Sequence, residues 1–373
     1  MRLRLITDDG VAASFGLAAD ETLAQRVGLG ASPPTLRLYT YRSHCALVGR
    51  FQNVENEIHM DYCRAHAVDV NRRPTGGGAI IMGAEQLGVA LTLPGREGTS
   101  YSHARELMEH FSGGLLRGLK RLGVAARFRR KNDIEVQGRK LVGLGIFRAS
   151  SGGLLFHASV LVDLDVPLML HVIKTPFEKI TDKEIESAAA RTSTVRREVG
   201  REISMDDVRA IVADGYAQAF NAELSAAEFS AAERREAQVL ERSKYRSDAW
   251  VFRRTAVADA SGTAKVKTPA GLLDVRVTLA GRMLKAVYIG GDFFAAENAV
   301  AELEGRLRWH PRHSERVAAT VENCYRRQPD LGGIPMHALC AALHKAIRRA
   351  KNAETRARSD PYACFVNPEA GIA

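Results

Sequence analysis

The run Arg72-Arg73-Pro74-Thr75-Gly76-Gly77-Gly78-Ala79 constrains this chain more than any other segment. Three consecutive glycines remove every Cβ from one stretch of backbone, so its N–H groups can approach a ligand closely. The two arginines before them carry fixed charge in a planar fork suited to phosphate or carboxylate. A second segment, Asp133 to Gly145 (DIEVQGRKLVGLG), places Lys140 beside Gly143 and Gly145. A glycine cradle with nearby cations points to anion binding, and the two segments together point to an activated acyl phosphate. Two ordinary glycine turns with solvated cations are the alternative.

The elements around these segments define a mixed α+β chain. Alternation over Leu36–Tyr41 predicts a half-buried strand. Val68–Asn71 is a short strand that runs into the glycine loop, and Gly88–Leu93 alternates again until Pro94 stops it. Leu107, Met108, Phe111, Leu115, Leu119 and Leu122 recur at helical spacing, which predicts one helix ending near Gly123. Strands are expected at Asp133–Val136, Lys140–Phe147 and Leu154–Leu161, and helices at Asp206–Ala222 and Ser225–Leu240. The polar stretch Arg242–Asp248 marks a boundary. Beyond it, strands are expected at Trp250–Ala256, Thr263–Lys267, Leu273–Leu279 and Met283–Ile289, the last two joined by Ala280-Gly281. Helices follow at Ala295–Leu307, Val317–Arg326 and Met336–Lys351. The division is therefore 1–245, 246–350 and a tail over 351–373, basic at first and then extended.

Of the 373 residues 46% are hydrophobic, enough for two sizeable cores, yet no segment approaches the roughly 20 apolar residues of a membrane span. Five cysteines without CxxC spacing (Cys45, Cys63, Cys324, Cys340, Cys364) fit a reducing cytosol and argue against a zinc or disulfide framework. The N-terminus turns acidic too soon for a signal peptide. The net charge of +10 calls for anionic partners. Aromatics are only 6%, and neither an RNA-binding aromatic motif nor a helix-turn-helix signature is present, so nucleic acid is not the expected partner.

Four spaced motifs resemble the lipoate–protein ligase family of the biotin/lipoate ligase superfamily. They are Arg72 to Ala79; Val48-Gly49-Arg50-Phe51-Gln52-Asn53; Asn132-Asp133 with Gly138-Arg139-Lys140-Leu141-Val142-Gly143; and His157 with the strand after it. Ser193-Thr194-Val195-Arg196 looks like the family's adenylate-binding loop, and residues 246–350 resemble the accessory C-terminal domain. Departures fall at Pro74, at Met82-Gly83-Ala84-Glu85-Gln86 and at Leu144-Gly145, all expected to line the acyl pocket, which leaves the acyl chain open.

The resemblance implies a biotin/lipoate ligase-type mixed sheet flanked by helices, with a small α+β accessory domain. It implies an ATP-dependent enzyme that makes lipoyl-AMP and transfers the lipoyl group to a lysine of an acidic acceptor. Lipoyl domains, glycine-cleavage H protein and H-like lipoate-binding proteins are the expected acceptors. Lys140 would be the central cation. Arg73, Thr75, Gly76, Gly77, Gly78, Ala79, Ile80, Ile81, Asn132, Asp133 and His157 would bind the adenylate and acyl chain, with Ser193, Val195 and Arg196 in the loop. Asp133 could hold Mg²⁺. A monomer with a hinged second domain is the family's default, and the cysteine usage places it in the cytoplasm. Octanoyl transfer from acyl carrier protein is the rival, but it needs a nucleophilic cysteine, and none lies between Arg64 and Asn323. A non-catalytic module binding lipoyl-adenylate or nucleotide is a second rival.

Overall fold

The computed structural model describes residues 1–95, 101–129, 132–174, 181–253 and 262–359. The chain divides into two compact units, Met1–Arg253 and Arg254–Ala373.

The first unit is built on a sheet of β1 (Arg2–Val11), β2 (Thr35–Tyr41), β6 (Gln86–Leu93), β7 (Arg127–Arg129), β8 (Asp133–Val136), β9 (Arg139–Arg148), β10 (Leu154–Leu161) and β11 (Glu223–Ala226). Its order is β11-β1-β2-β6-β10-β9-β8-β7, with β7 at one edge. The strands β3 (Cys45–Val48), β4 (Asp69–Arg72) and β5 (Ile80–Met82) form a separate small sheet in the order β4-β3-β5. The glycine run is the connection from β4 to β5, so this small sheet is what carries it.

One face of the large sheet packs on α1 (Ala13–Gly28), whose Leu17, Ala18 and Ala24 join Tyr39, Tyr41, Ala90 and Leu155 in one core. The short α2 (Val54–Glu57), α3 (Met60–Ala65) and α6 (Val166–Val172) share a core with β3, β4 and β5. On the opposite face Phe156 meets Phe111 of α4 (Ala104–Phe111). There α5 (Gly113–Arg121) packs on α9 (Met205–Ala219), and the backbone of Gly118 approaches Gly215 too closely for any side chain between them.

Several expectations change. Leu36–Tyr41 forms the expected strand, but β2 is buried at every position, because elements cover both faces. The helix over 107–122 is two, broken at Ser112, whose hydroxyl back-bonds to the Glu109 carbonyl. Ser225–Leu240 begins as β11 and becomes helical only at α10 (Ala231–Leu240), where Ser230 and Glu233 form a capping box. Trp250 lies in the short α11 (Asp248–Val251), after α7 (Asp182–Ala189) and α8 (Val195–Val199) in the chain, and not in a strand. Residues 254–256 of that expected strand lie outside the described residues.

The polar stretch at 242–248 belongs to the first unit. Asn71 Nδ2 donates to the Tyr245 carbonyl at 2.8 Å, and Trp250 Nε1 donates to the Arg72 carbonyl at 2.9 Å. The second unit is an antiparallel sheet of β12 (Gly262–Thr268), β13 (Gly271–Ala280), β14 (Met283–Gly291) and β15 (His310–Pro311). It carries helices α12 (Glu297–Leu307), α13 (Ser314–Arg327) and α14 (Met336–Ser359), the last running well past Lys351. The expected extended tail from 360 onward lies outside the described residues. No described helix is long and apolar enough to cross a membrane.

Candidate active site

Lys140 and Gly143 are three residues apart, which in a regular strand would put them on opposite faces. A β-bulge corrects this. Ile134 pairs with Val142 and Glu135 with Lys140, so Leu141 is an extra residue in β9. The bulge turns Lys140 onto the face of Gly143, and its Nζ lies 2.7 Å from Asp133 Oδ1. A Cβ on Gly143 would sit 3.3 Å from that Nζ and 3.2 Å from Ser159 Oγ. Across the strands, Ser159, Gly143 and Asp133 are directly paired and share this face. A Cβ on Gly145 would reach Thr75 Oγ1 at 3.0 Å, so the glycine loop lies over the same face. Lys140, Asp133, Gly143, Ser159 and Gly145 thus share one sheet face under the loop, the candidate groove for an acyl phosphate.

The loop is held from beneath by its arginines. Arg73, expected to bind phosphate, is buried and donates to the carbonyls of Leu47 (2.8 Å), Gly76 (3.0 Å) and Gly78 (2.7 Å), and to Thr75 Oγ1 at 3.2 Å. These bonds tie the loop back to β3 and so shape the cradle. Arg72 is also buried, donating to the carbonyls of Gly49, Arg50, Gln52, Trp250 and Val251. Gly77 has φ +94°, open to glycine at little cost. At Gly49 a Cβ would lie 2.0 Å from the Gly77 carbonyl oxygen, so the motif Val48 to Asn53 is the bed on which the loop rests. Nothing lies within 4 Å of a Cβ on Gly78, so the outer side of the loop is open.

The remaining expected residues divide. Ile80 packs toward the large sheet, whereas Ala79 and Ile81 pack into the core of α2, α3 and α6 and turn away from the groove. Asn132 reaches back to Leu144, its Nδ2 donating to the carbonyl at 3.2 Å while Leu144 N donates to the Asn132 carbonyl at 2.7 Å. This pairing fixes the strand opening beside Asp133. His157 pairs with Gly145 on the groove face, but its Nε2 is 2.5 Å from the Tyr39 hydroxyl and 3.2 Å from Asp20 Oδ2. It is a satisfied core histidine behind the groove. Burial works to raise the Asp20 carboxyl, but Arg37 and His157 outweigh it and hold it below its ordinary value.

The loop at 191–196 meets Lys140 through backbone. Lys140 N donates to the Arg191 carbonyl at 2.9 Å, and Ser193 N donates to the Lys140 carbonyl at 2.8 Å. The Ser193 hydroxyl turns away to Glu198, which also takes Arg139 at 2.7 Å. Burial acts to raise the Glu198 carboxyl, yet Ser193 and Arg139 lower it on balance. Val195 is fully buried, and Arg196 pairs with Glu85, Asp163 and Glu202. Sequence reasoning missed Glu198, Asp20, Arg37 and Tyr39, because long-range pairing leaves no local pattern.

A family model described as the lipoyl protein ligase A/B catalytic domain matches residues 12–217. The octanoyltransferase LipM of Kyrpidia tusciae is 30% identical over 276 residues, which cover 67% of this chain and 98% of that protein. Among solved structures, a bipartite lipoate protein ligase from Thermoplasma acidophilum, studied with its E2 lipoyl domain, is 25% identical. It superposes with a TM-score of 0.60, over 68% of this chain and 96% of that one. LipL1 of P. falciparum, in complex with lipoate, is 14% identical and shares the fold over 86% of this chain and 94% of its own, with a TM-score of 0.68. The chain belongs to the lipoyl protein ligase A/B catalytic family of the biotin/lipoate ligase superfamily, enzymes of protein lipoylation.

Proposed function

We propose that this enzyme activates lipoate with ATP and joins the lipoyl group to a lysine of an acceptor protein. One observation carries this choice: the groove offers an amine and no thiol. Within residues 1–253 the cysteines are Cys45 and Cys63. Both are buried, and burial pushes both thiols up, Cys45 well above its ordinary value. A thiol so placed is a poor nucleophile, so an acyl-enzyme route lacks its first reactant.

Adenylate chemistry needs no such nucleophile. A carboxylate oxygen of lipoate bonds to the α-phosphorus of ATP. The bond from that phosphorus to the bridging oxygen breaks, and pyrophosphate leaves with the electron pair. The acceptor amine nitrogen then bonds to the acyl carbon, the carbon–oxygen bond to phosphate breaks, AMP leaves and the amine loses a proton. Negative charge moves over phosphate and carbonyl oxygens in both steps, where preorganised donors act most strongly. Lys140 supplies the cation, and the N–H groups of Gly76, Gly77 and Gly78 supply an anion nest.

Magnesium fits only as a companion of the nucleotide. Among the described residues no three His, Cys, Asp or Glu side chains could hold a metal together. Asp133 already faces Lys140. A hard cation would have Asp133 as protein ligand and draw its other oxygens from phosphate and water, neutralising phosphate charge. The acceptor we propose is an acidic lipoyl domain, H protein or H-like lipoate-binding protein, suited to the +10 chain.

Lipoate-dependent exchange of labelled pyrophosphate into ATP tests the reading; the exchange is expected, and its absence would refute adenylate formation. A second reading, octanoyl transfer from a thioester donor, is favoured by the activity named for the Kyrpidia relative. It predicts acylation without ATP.

A further inference from the structure

Resting on the ATP-dependent reading, we infer that Arg127 and Arg129 form the subsite for the terminal phosphates of the nucleotide and for the departing pyrophosphate. Arg129 pairs with Asp133, Asp133 with Gly143 and Gly143 with Ser159, and directly paired residues share a face. Arg129 therefore stands one strand spacing, about 5 Å, beyond the carboxylate that Lys140 touches. Arg127 lies two residues along β7 on the same face, opposite Glu135, which itself pairs with Lys140. The three cations form a row from Lys140 to the edge strand β7, where the arginine side chains are exposed to solvent.

Among the described residues, charge accounting favours this row. The Lys140–Asp133 pair has no net charge, yet a triphosphate brings several negative charges. Arg73 is buried among carbonyls, Arg139 is paired with Glu198, and Arg196 is paired with three carboxylates. Arg127 and Arg129 are different. Both lean on the single carboxylate of Glu135, at 2.9 Å and 3.5 Å, and so leave a surplus positive charge. Their side chains remain 74% and 61% exposed while Glu135 is nearly covered; its carboxylate accepts two bonds from Arg127 and lies close to Arg129. Guanidinium forks so placed match phosphate oxygens bidentately.

The test is direct binding of inorganic pyrophosphate by calorimetry to the full-length enzyme and to Arg129→Gln, Arg129→Lys and Arg127→Gln, alongside half-reaction kinetics. Each Gln variant keeps one arginine on Glu135, so the buried carboxylate is not orphaned. We expect Arg129→Gln and Arg127→Gln each to weaken pyrophosphate binding about tenfold. Each should also raise KM for ATP, and leave transfer from supplied lipoyl-adenylate and KM for the acceptor unchanged. Arg129→Lys should recover part of the loss. Pyrophosphate binding equal to wild type in both Gln variants would overturn the inference. So would a rise confined to KM for the acceptor, which would make the row a docking surface for acidic protein. If wild-type enzyme binds pyrophosphate through these arginines but shows no lipoate-dependent exchange, the subsite stands and the ATP-dependent reading fails.

Discussion

Gly49 and Gly78 separate what the glycine loop needs in order to fold from what it needs in order to bind. A Cβ at Gly49 would lie 2.0 Å from the Gly77 carbonyl oxygen and 3.0 Å from the Gly77 carbonyl carbon. The obstacle is backbone, and its surroundings are pinned: Arg72 holds the Gly49 carbonyl, and Arg73 holds the carbonyls of Gly76 and Gly78 on either side of Gly77. Overpacking typically costs about 1–3 kcal/mol and more where nothing yields, and we place Gly49→Ala near 3 kcal/mol. In a unit of this size each kcal/mol lowers Tm by roughly 2–4 °C, so the expected loss is about 6–12 °C. Gly78→Ala meets nothing within 4 Å. It should leave Tm within about 2 °C while weakening lipoyl-adenylate binding at least tenfold, because the methyl occupies the space a ligand would use. Scanning calorimetry and adenylate titration of both variants read the two effects. A Gly49→Ala enzyme with unchanged Tm would refute the packing argument. A Gly78→Ala enzyme with unchanged affinity would refute the placement of ligand over the loop.

Other consequences can be measured in the same way. Lys140→Ala should abolish amide formation with an unchanged melting profile; full activity would remove the amine from the mechanism. Arg73→Met should cost several kcal/mol, since three carbonyls lose a charged donor, and chemical denaturation would reveal it. Truncation after Lys244 should destabilise the first unit far more than truncation after Arg253, because it removes the Trp250 and Tyr245 contacts to β4; equal melting temperatures would argue otherwise. Burial opposes ionisation of Glu233, but Arg4, Ser32 and the Ser230 N–H bring its carboxyl down to about 2 from an ordinary 4.5. A lowered folded value means stability held above about 4.5 and lost as pH falls toward 2. Glu233→Gln should flatten that acid-side loss in melts between pH 5 and pH 3.

The glycine loop, Lys140 and the strands that carry them were legible because their signals are local. Glycine runs, alternation and the Lys–Gly spacing each lie within a few residues. What the sequence hid was pairing. Arg73 reads as a phosphate ligand by its position next to glycines, and only the fold reveals that Leu47, Thr75, Gly76 and Gly78 take four of its five donors. His157 drew attention as a motif position, yet Asp20 and Tyr39, more than a hundred residues away, satisfy it. The half-buried pattern of β2 misled because Arg37 is a buried charge neutralised by Asp8 and Asp20, which alternation cannot distinguish from a surface residue. The break at Ser112 was concealed because apolar spacing continues across it. The capping box at Ser230 and Glu233 was visible all along and marks the true start of α10.

The central claim is that acyl transfer here depends on ATP. Its most direct test is the intact mass of a purified lipoyl domain or H protein after incubation with the enzyme, ATP, Mg²⁺ and lipoate, compared with ATP omitted and with octanoyl-acyl carrier protein supplied instead. The account predicts a mass gain equal to one lipoyl group only when ATP and lipoate are both present. A gain of an octanoyl group from the carrier protein without ATP would contradict it.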